Sequence, residues 1–184
     1  MKTVIRLQIG GLLSKKFNLP TDGLDKKFPI LNRAWKKQEK KILNGLEKIT
    51  GLKFLQNYVD VFLVNPNNTP SISNPIIVVV KKGGTDRFIR VLCHELIHEL
   101  CADNTTGVNW HFKIQKIFKK ETPTAANHVM VHAILEALYT DMLHKPKEIK
   151  KDIKHSQKSL DYNRAWEIVK EGGYKNIIAK LKSK

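Results

Sequence analysis

His94-Glu95-Leu96-Ile97-His98 sets two imidazoles four residues apart with a carboxylate between them. On an α-helix, residues at that spacing lie on one face, one turn above the other. Two ring nitrogens can then converge on a single zinc ion, and the carboxylate can reach a water held by the metal. A third protein ligand leaves the fourth position open, and the pKa of such a water falls to about 7. Glu95 is placed to take the water's proton as general base.

The elements that must position these side chains are legible on both sides of them. Pro75-Ile76-Ile77-Val78-Val79-Val80 is a β-branched run that predicts a strand, and Lys81-Lys82-Gly83-Gly84 is turn chemistry. Thr85 or Asp86 can cap a helix that runs through Arg87 into the motif. Phe88, Val91, Leu92, Leu96, Ile97 and Leu100 cover that helix with apolar surface on most sides. Two histidines and two glutamates on a buried helix are costly unless coordinated or paired. The plain alternative is an exposed helix with incidental His and Glu, and the apolar flanks weigh against it.

From Pro75 to Asp103 this strand–turn–helix arrangement resembles the zincin metallopeptidases, in which the motif helix lies behind a mixed sheet whose edge strand borders the cleft. Elsewhere the resemblance is one of general architecture. It implies that His94 and His98 are zinc ligands and that Glu95 is the catalytic base. The extended form with a glycine and a third histidine soon after is absent, because Glu99-Leu100-Cys101-Ala102-Asp103-Asn104 follows instead. The third ligand must therefore come from further along.

The segment from Thr122 to Tyr139 predicts a helix, with Thr122 as N-cap and Pro123 in the first position. His128, His132 and Glu136 recur every four residues and line one stripe, flanked by Val129, Val131, Ile134, Leu135 and Leu138. This polar row reads as a second wall of the metal site. One member would bind zinc while a neighbour orients a ligand through a hydrogen bond. His128 is the favoured third ligand, with His132 as its neighbour. Glu136 and His132 are the alternatives. The gluzincin branch of the zincins uses a downstream glutamate followed one turn later by an acid, but Thr140 stands there and Asp141 is one step out of phase. His111, entering the first turn of a helix formed by Phe112, Ile114, Ile117 and Phe118, is a further contender on a resemblance to SprT-like zincins. Phe112 replaces the glycine expected after it, and a capping or surface role fits it better. His144 and His155 lie in lysine-rich stretches and take no role.

Composition bounds the rest. A chain of 184 residues that is 41% hydrophobic can build one core. Met1 to Ile9 alternates like a strand interrupted by Arg6, without the apolar run of a signal peptide, and no stretch approaches the ~20 apolar residues of a membrane span. A cytoplasmic protein is expected. Cys93 and Cys101, eight residues apart on one predicted helix, would have Cα atoms about 12 Å apart, beyond the ~7 Å that a disulfide tolerates. They are expected to be reduced core residues. Lys and Arg number 33 against 17 acids, a net charge of +16. The lysines are spread along the chain among acids, so a solvated basic surface is favoured over nucleic-acid contact.

One amphipathic helix is predicted within Pro29 to Gly51, with Ile30, Leu31, Trp35, Ile42, Leu43, Leu46 and Ile49 on its apolar side and Gly51 as its end, and a last helix or helix pair from Asp161 to Lys182, broken at Gly172-Gly173. Lys53 to Asn65 alternates as a strand. The expected fold is α+β: a single zincin-like domain over residues 1–184, with a small mixed sheet packed against the HExxH helix and further helices. The expected function is Zn2+-dependent hydrolysis of peptide bonds in a peptide or protein substrate, through a zinc-bound water activated by Glu95. The substrate would add as a strand beside Ile76 to Val80 if that strand is the sheet edge. Tyr139 and His132 are candidates to stabilise the oxyanion by residue type alone. The alternative is a non-catalytic zincin-like zinc-binding module, or a basic nucleic-acid-associated binding protein. An intact Glu95 favours the enzyme, since a structural site has no need of it.

Overall fold

Three parallel strands and one short antiparallel strand form the sheet from which the motif helix departs. In the computed structural model the order is β1-β2-β4-β3. Strands β1 (Val4–Ile9), β2 (Tyr58–Val64) and β4 (Ile76–Val79) are parallel, while β3 (Ile72–Ser73) pairs antiparallel with β4. The structure describes residues 3–10, 18–65, 71–73, 76–80, 84–107 and 109–183. Pro75 and the predicted turn residues Lys81, Lys82 and Gly83 lie outside them.

Period-two alternation explains the strands. Ile5 and Leu7 on β1 and Val59, Val61 and Leu63 on β2 are buried, while Val4 and Tyr58 are exposed on the opposite face. The register sets Arg6 opposite Asp60, and its guanidinium donates to both carboxylate oxygens at 2.7 and 2.6 Å. That register also brings the guanidinium carbon to 3.6 Å from the centre of the Tyr58 ring. Parallel neighbours need a crossover connection, and helices α1 (Leu24–Lys36) and α2 (Glu39–Thr50) lie in the one between β1 and β2. Here the sequence reading of one helix within Pro29 to Gly51 is corrected to two. The amides of Lys37 and Gln38 turn back to the carbonyls of Arg33 and Trp35. Ile30 is exposed, not apolar cover, because Leu24, Leu31 and Trp35 form the buried stripe of α1 and Ile30 falls off it. Gly51 does end α2, with φ of 77° and its amide donating to Glu47 O at 2.8 Å.

The chain divides into two compact units, Met1–Lys40 with Phe54–Glu99 and Lys41–Lys53 with Leu100–Lys184. The first contains the sheet and most of α3 (Gly84–Asp103), the helix that carries the motif. Thr85 and Asp86 lie inside the first turn of α3 rather than capping it. The Gln56 side-chain amide donates to Glu99 at 2.7 Å and ties the chain entering β2 to this helix.

The second unit is helical: most of α2, with α4 (Trp110–Ile117), α5 (Pro123–Ala137), α6 (Pro146–Ser156), α7 (Leu160–Gly172) and α8 (Tyr174–Lys182). Helix α5 packs on α4, α7 and α8. Its Val129, Met130, Val131, Ala133, Ile134 and Leu135 are all buried, as expected of a helix apolar on every side. A π turn, Leu138–Met142, continues it, with the amide of Leu143 donating to Leu138 O at 2.9 Å. The fold is therefore α+β and mostly helical, with eight α-helices and a small mixed sheet among the described residues. No helix among them is long and apolar enough to cross a membrane. Cys93 and Cys101 are buried free thiols.

Candidate metal centre

Helix α3 supplies the first part of the site. Its buried side consists of Phe88, Ile89, Leu92, Cys93, Leu96, Ile97 and Leu100. This apolar surround fixes which way the remaining positions point. His94 and His98 are half-buried, and their ring centroids are 5.2 Å apart, as two imidazoles one turn apart must be. Glu95 is 6% exposed. Burial pushes its carboxyl up to about 8, against an opposing hydrogen bond from Ser73. Ser73 belongs to β3, the outer strand beside β4. The expected substrate strand beside Ile76 to Val80 is thus corrected. Strand β4 is not an edge there, because Ile72 and Ser73 pair with Ile77 and Ile76, and β3 is the strand at this edge of the sheet.

Helix α5 supplies the second part. Thr122 caps it as expected, its hydroxyl accepting from the Ala125 amide at 3.0 Å, and Pro123 opens it. One turn in, His128 is buried and its Nδ1 lies 2.8 Å from the Thr124 carbonyl. A carbonyl only accepts, so Nδ1 carries the proton and the lone pair sits on Nε2. Burial lowers the pKa of His128, opposed by that hydrogen bond and by the charge of Asp161. A neutral imidazole with a fixed tautomer is the form that binds metal.

The ligand atoms of His94, His98 and His128 all lie within 4.8 Å of one another. This group can hold a metal ion. Imidazoles suit zinc among other divalent transition metals, and three of them would leave one position of a tetrahedron open.

No family model, curated protein or solved structure matches this chain.

The other sequence candidates are placed elsewhere. His111 is in the first turn of α4, whose cap is Asn109, and its Nδ1 is 3.4 Å from Asn127 Oδ1. Glu136 is half-buried and outside the histidine group. Burial raises its pKa, the charge of Lys170 opposes this and that of Asp141 adds to it. Asp141, out of phase for an α-helix, acts on Glu136 because the intervening π turn holds one residue more than an α turn. His132 is fully buried, with its ring stacked on Trp166 at 4.3 Å and 10°.

The stripe on α5 therefore does not face the motif as a whole. His128 stacks on Tyr162 at 4.0 Å, His132 on Trp166, and Glu136 feels Lys170. Tyr162, Trp166 and Lys170 are themselves four residues apart, so α5 and α7 run parallel in register with matched four-residue ladders. Sequence reasoning missed these partners, and Ser73 with them. The matching spacing on α7 was the available signal.

Proposed function

We propose that the chain is a zinc-dependent metallopeptidase of zincin type, in which His94, His98 and His128 hold the metal and Glu95 is the general base. The observation that carries this reading is the gathering of three imidazole donors, two of them from the helix that also carries Glu95. Zinc bound there supplies Lewis acidity, polarising a peptide carbonyl and lowering the pKa of water to about 7. Glu95 accepts the proton of the attacking water and delivers it to the leaving amine. Ser73 holds the Glu95 carboxyl from the sheet side. His128 keeps its proton on Nδ1 throughout, bound to the Thr124 carbonyl, so that Nε2 remains the donor. An extended peptide pairs with the edge strand β3, next to Glu95, through main-chain hydrogen bonds.

The test combines metal analysis with hydrolysis of a peptide library. Wild type is expected to bind one zinc per chain and cleave. The Glu95→Gln protein should keep the zinc and lose about 100-fold or more of the rate, the scale of general-base catalysis. Full zinc content in a His94→Ala, His98→Ala double variant would end the assignment of the site. Cleavage by Glu95→Gln at the wild-type rate would end the mechanism.

A further inference from the structure

The hydrogen bond at Nδ1 orients His128 along one direction and leaves its ring plane to be set by something else. The torsion that turns an imidazole about its Cβ–Cγ bond has a broad energy profile and no sharp staggered wells. The ring of Tyr162 offers a flat face. It lies 4.0 Å from the His128 ring, inclined by 29°. Tyr162 is only half-buried, unlike the fully packed Trp166 one turn on, so its ring contributes less to the core than to this stack.

The next rung explains why Tyr162 stays where it is. Trp166 stacks on His132 at 4.3 Å, nearly parallel, and its indole N–H donates to Asp152 on α6 at 3.3 Å. Above the first rung, the Thr122 hydroxyl donates to Asp161 at 2.6 Å, joining the start of α5 to the first turn of α7. The two helices are thus joined on both sides of the His128–Tyr162 pair, by the Thr122–Asp161 hydrogen bond and by the His132–Trp166 stack.

We infer that Tyr162 is a positioning residue for the metal centre: its ring face sets the plane of His128, while the Thr124 carbonyl sets the tautomer. This deepens the reading of His128 as a zinc ligand and rests on it. Groups that orient a metal ligand without touching the metal are worth about 10–100-fold in metal affinity.

The experiment measures zinc dissociation constants by chelator competition for wild type, His128→Ala, Tyr162→Phe, Tyr162→Leu and Tyr162→Met. It also records the visible spectrum of each protein saturated with Co2+, and the urea midpoint of each metal-free protein. Tyr162→Phe keeps the ring face and should bind zinc within about 3-fold of wild type, whereas Tyr162→Leu should lose about 10-fold or more. The cobalt bands should shift in the leucine variant and not in the phenylalanine variant, which a loss of stability alone cannot produce. Tyr162→Met, an unbranched filler without a ring, repeats the test should the leucine variant fail to fold. Wild-type affinity in both ring-less variants, with His128→Ala impaired, overturns the role of Tyr162 and leaves the ligand assignment standing. Equal losses in the phenylalanine and leucine variants overturn it too, because the hydroxyl and not the ring face would then matter. Wild-type zinc affinity in His128→Ala removes the ligand assignment itself.

Discussion

Replacing Thr122 removes two hydrogen bonds made by one hydroxyl. It accepts from the Ala125 amide at 3.0 Å and donates to Asp161 Oδ1 at 2.6 Å. Loss of the first leaves an orphan amide in the opening turn of α5, and an N-cap Ser or Thr replaced by Ala costs about 1 kcal/mol within a range of roughly 0.5–2. The second is a bond to a carboxylate, but Thr122 is exposed and water can replace it, so its loss adds only about 0.5 kcal/mol. Thr122→Ala should therefore lower the unfolding free energy by about 1.5 kcal/mol. Thr122→Val should do the same, keeping the methyl but neither bond. Thr122→Ser retains both and should stay within about 0.5 kcal/mol of wild type. Urea denaturation of the four proteins, with equal slopes as the check that only stability changed, measures these differences. A loss below about 0.3 kcal/mol in Thr122→Ala, or a serine variant as weak as the alanine one, refutes the argument from the cap.

Two further predictions rest on single observations. Gly51 ends α2 at a φ of 77°, and a Cβ built there would meet Lys182 Cε at an ordinary 3.7 Å. Gly51→Ala should thus be limited to the cost of the left-handed backbone, about 1–2 kcal/mol, and Gly51→Asn should cost less; urea midpoints of the two variants decide it. The Tyr174 phenol is pushed up to about 12 by burial and by its hydrogen bond to Asp141, so it should ionise after an ordinary tyrosine near 10. A folded-state pKa above the unfolded one contributes stability that is complete below about 10 and lost as the pH rises through the folded value. In an alkaline absorbance titration, Tyr174→Phe should remove one phenolate step near 12; an unchanged titration curve in that variant would contradict the placement of the group.

What the sequence carried by itself was local. Thr122-Pro123 marks the start of α5 because an orphan amide wants a side-chain acceptor and proline has no amide to lose. Gly51 and Gly172-Gly173 mark helix ends, and His94 with His98 share a face, because backbone conformation and helical periodicity are settled within a few residues. The α+β class followed from the same periodicities. The single helix read within Pro29 to Gly51 failed for the converse reason: the break at Lys37 and Gln38 has no glycine or proline at it to announce it.

Only the tertiary structure decided the direction in which each face points. Spacing of four shows that His128, His132 and Glu136 lie on one stripe, but not what the stripe meets. Packing of α5 on α7 set Tyr162, Trp166 and Lys170 beside His128, His132 and Glu136 in turn, and of the three only His128 joins His94 and His98. Strand order is equally non-local. Strand β3 has two residues and no pattern of its own, yet pairing with β4 makes it the edge and puts Ser73 against Glu95. A residue's partners across space depend on the packing of whole elements, and a periodicity within one element carries no information about that.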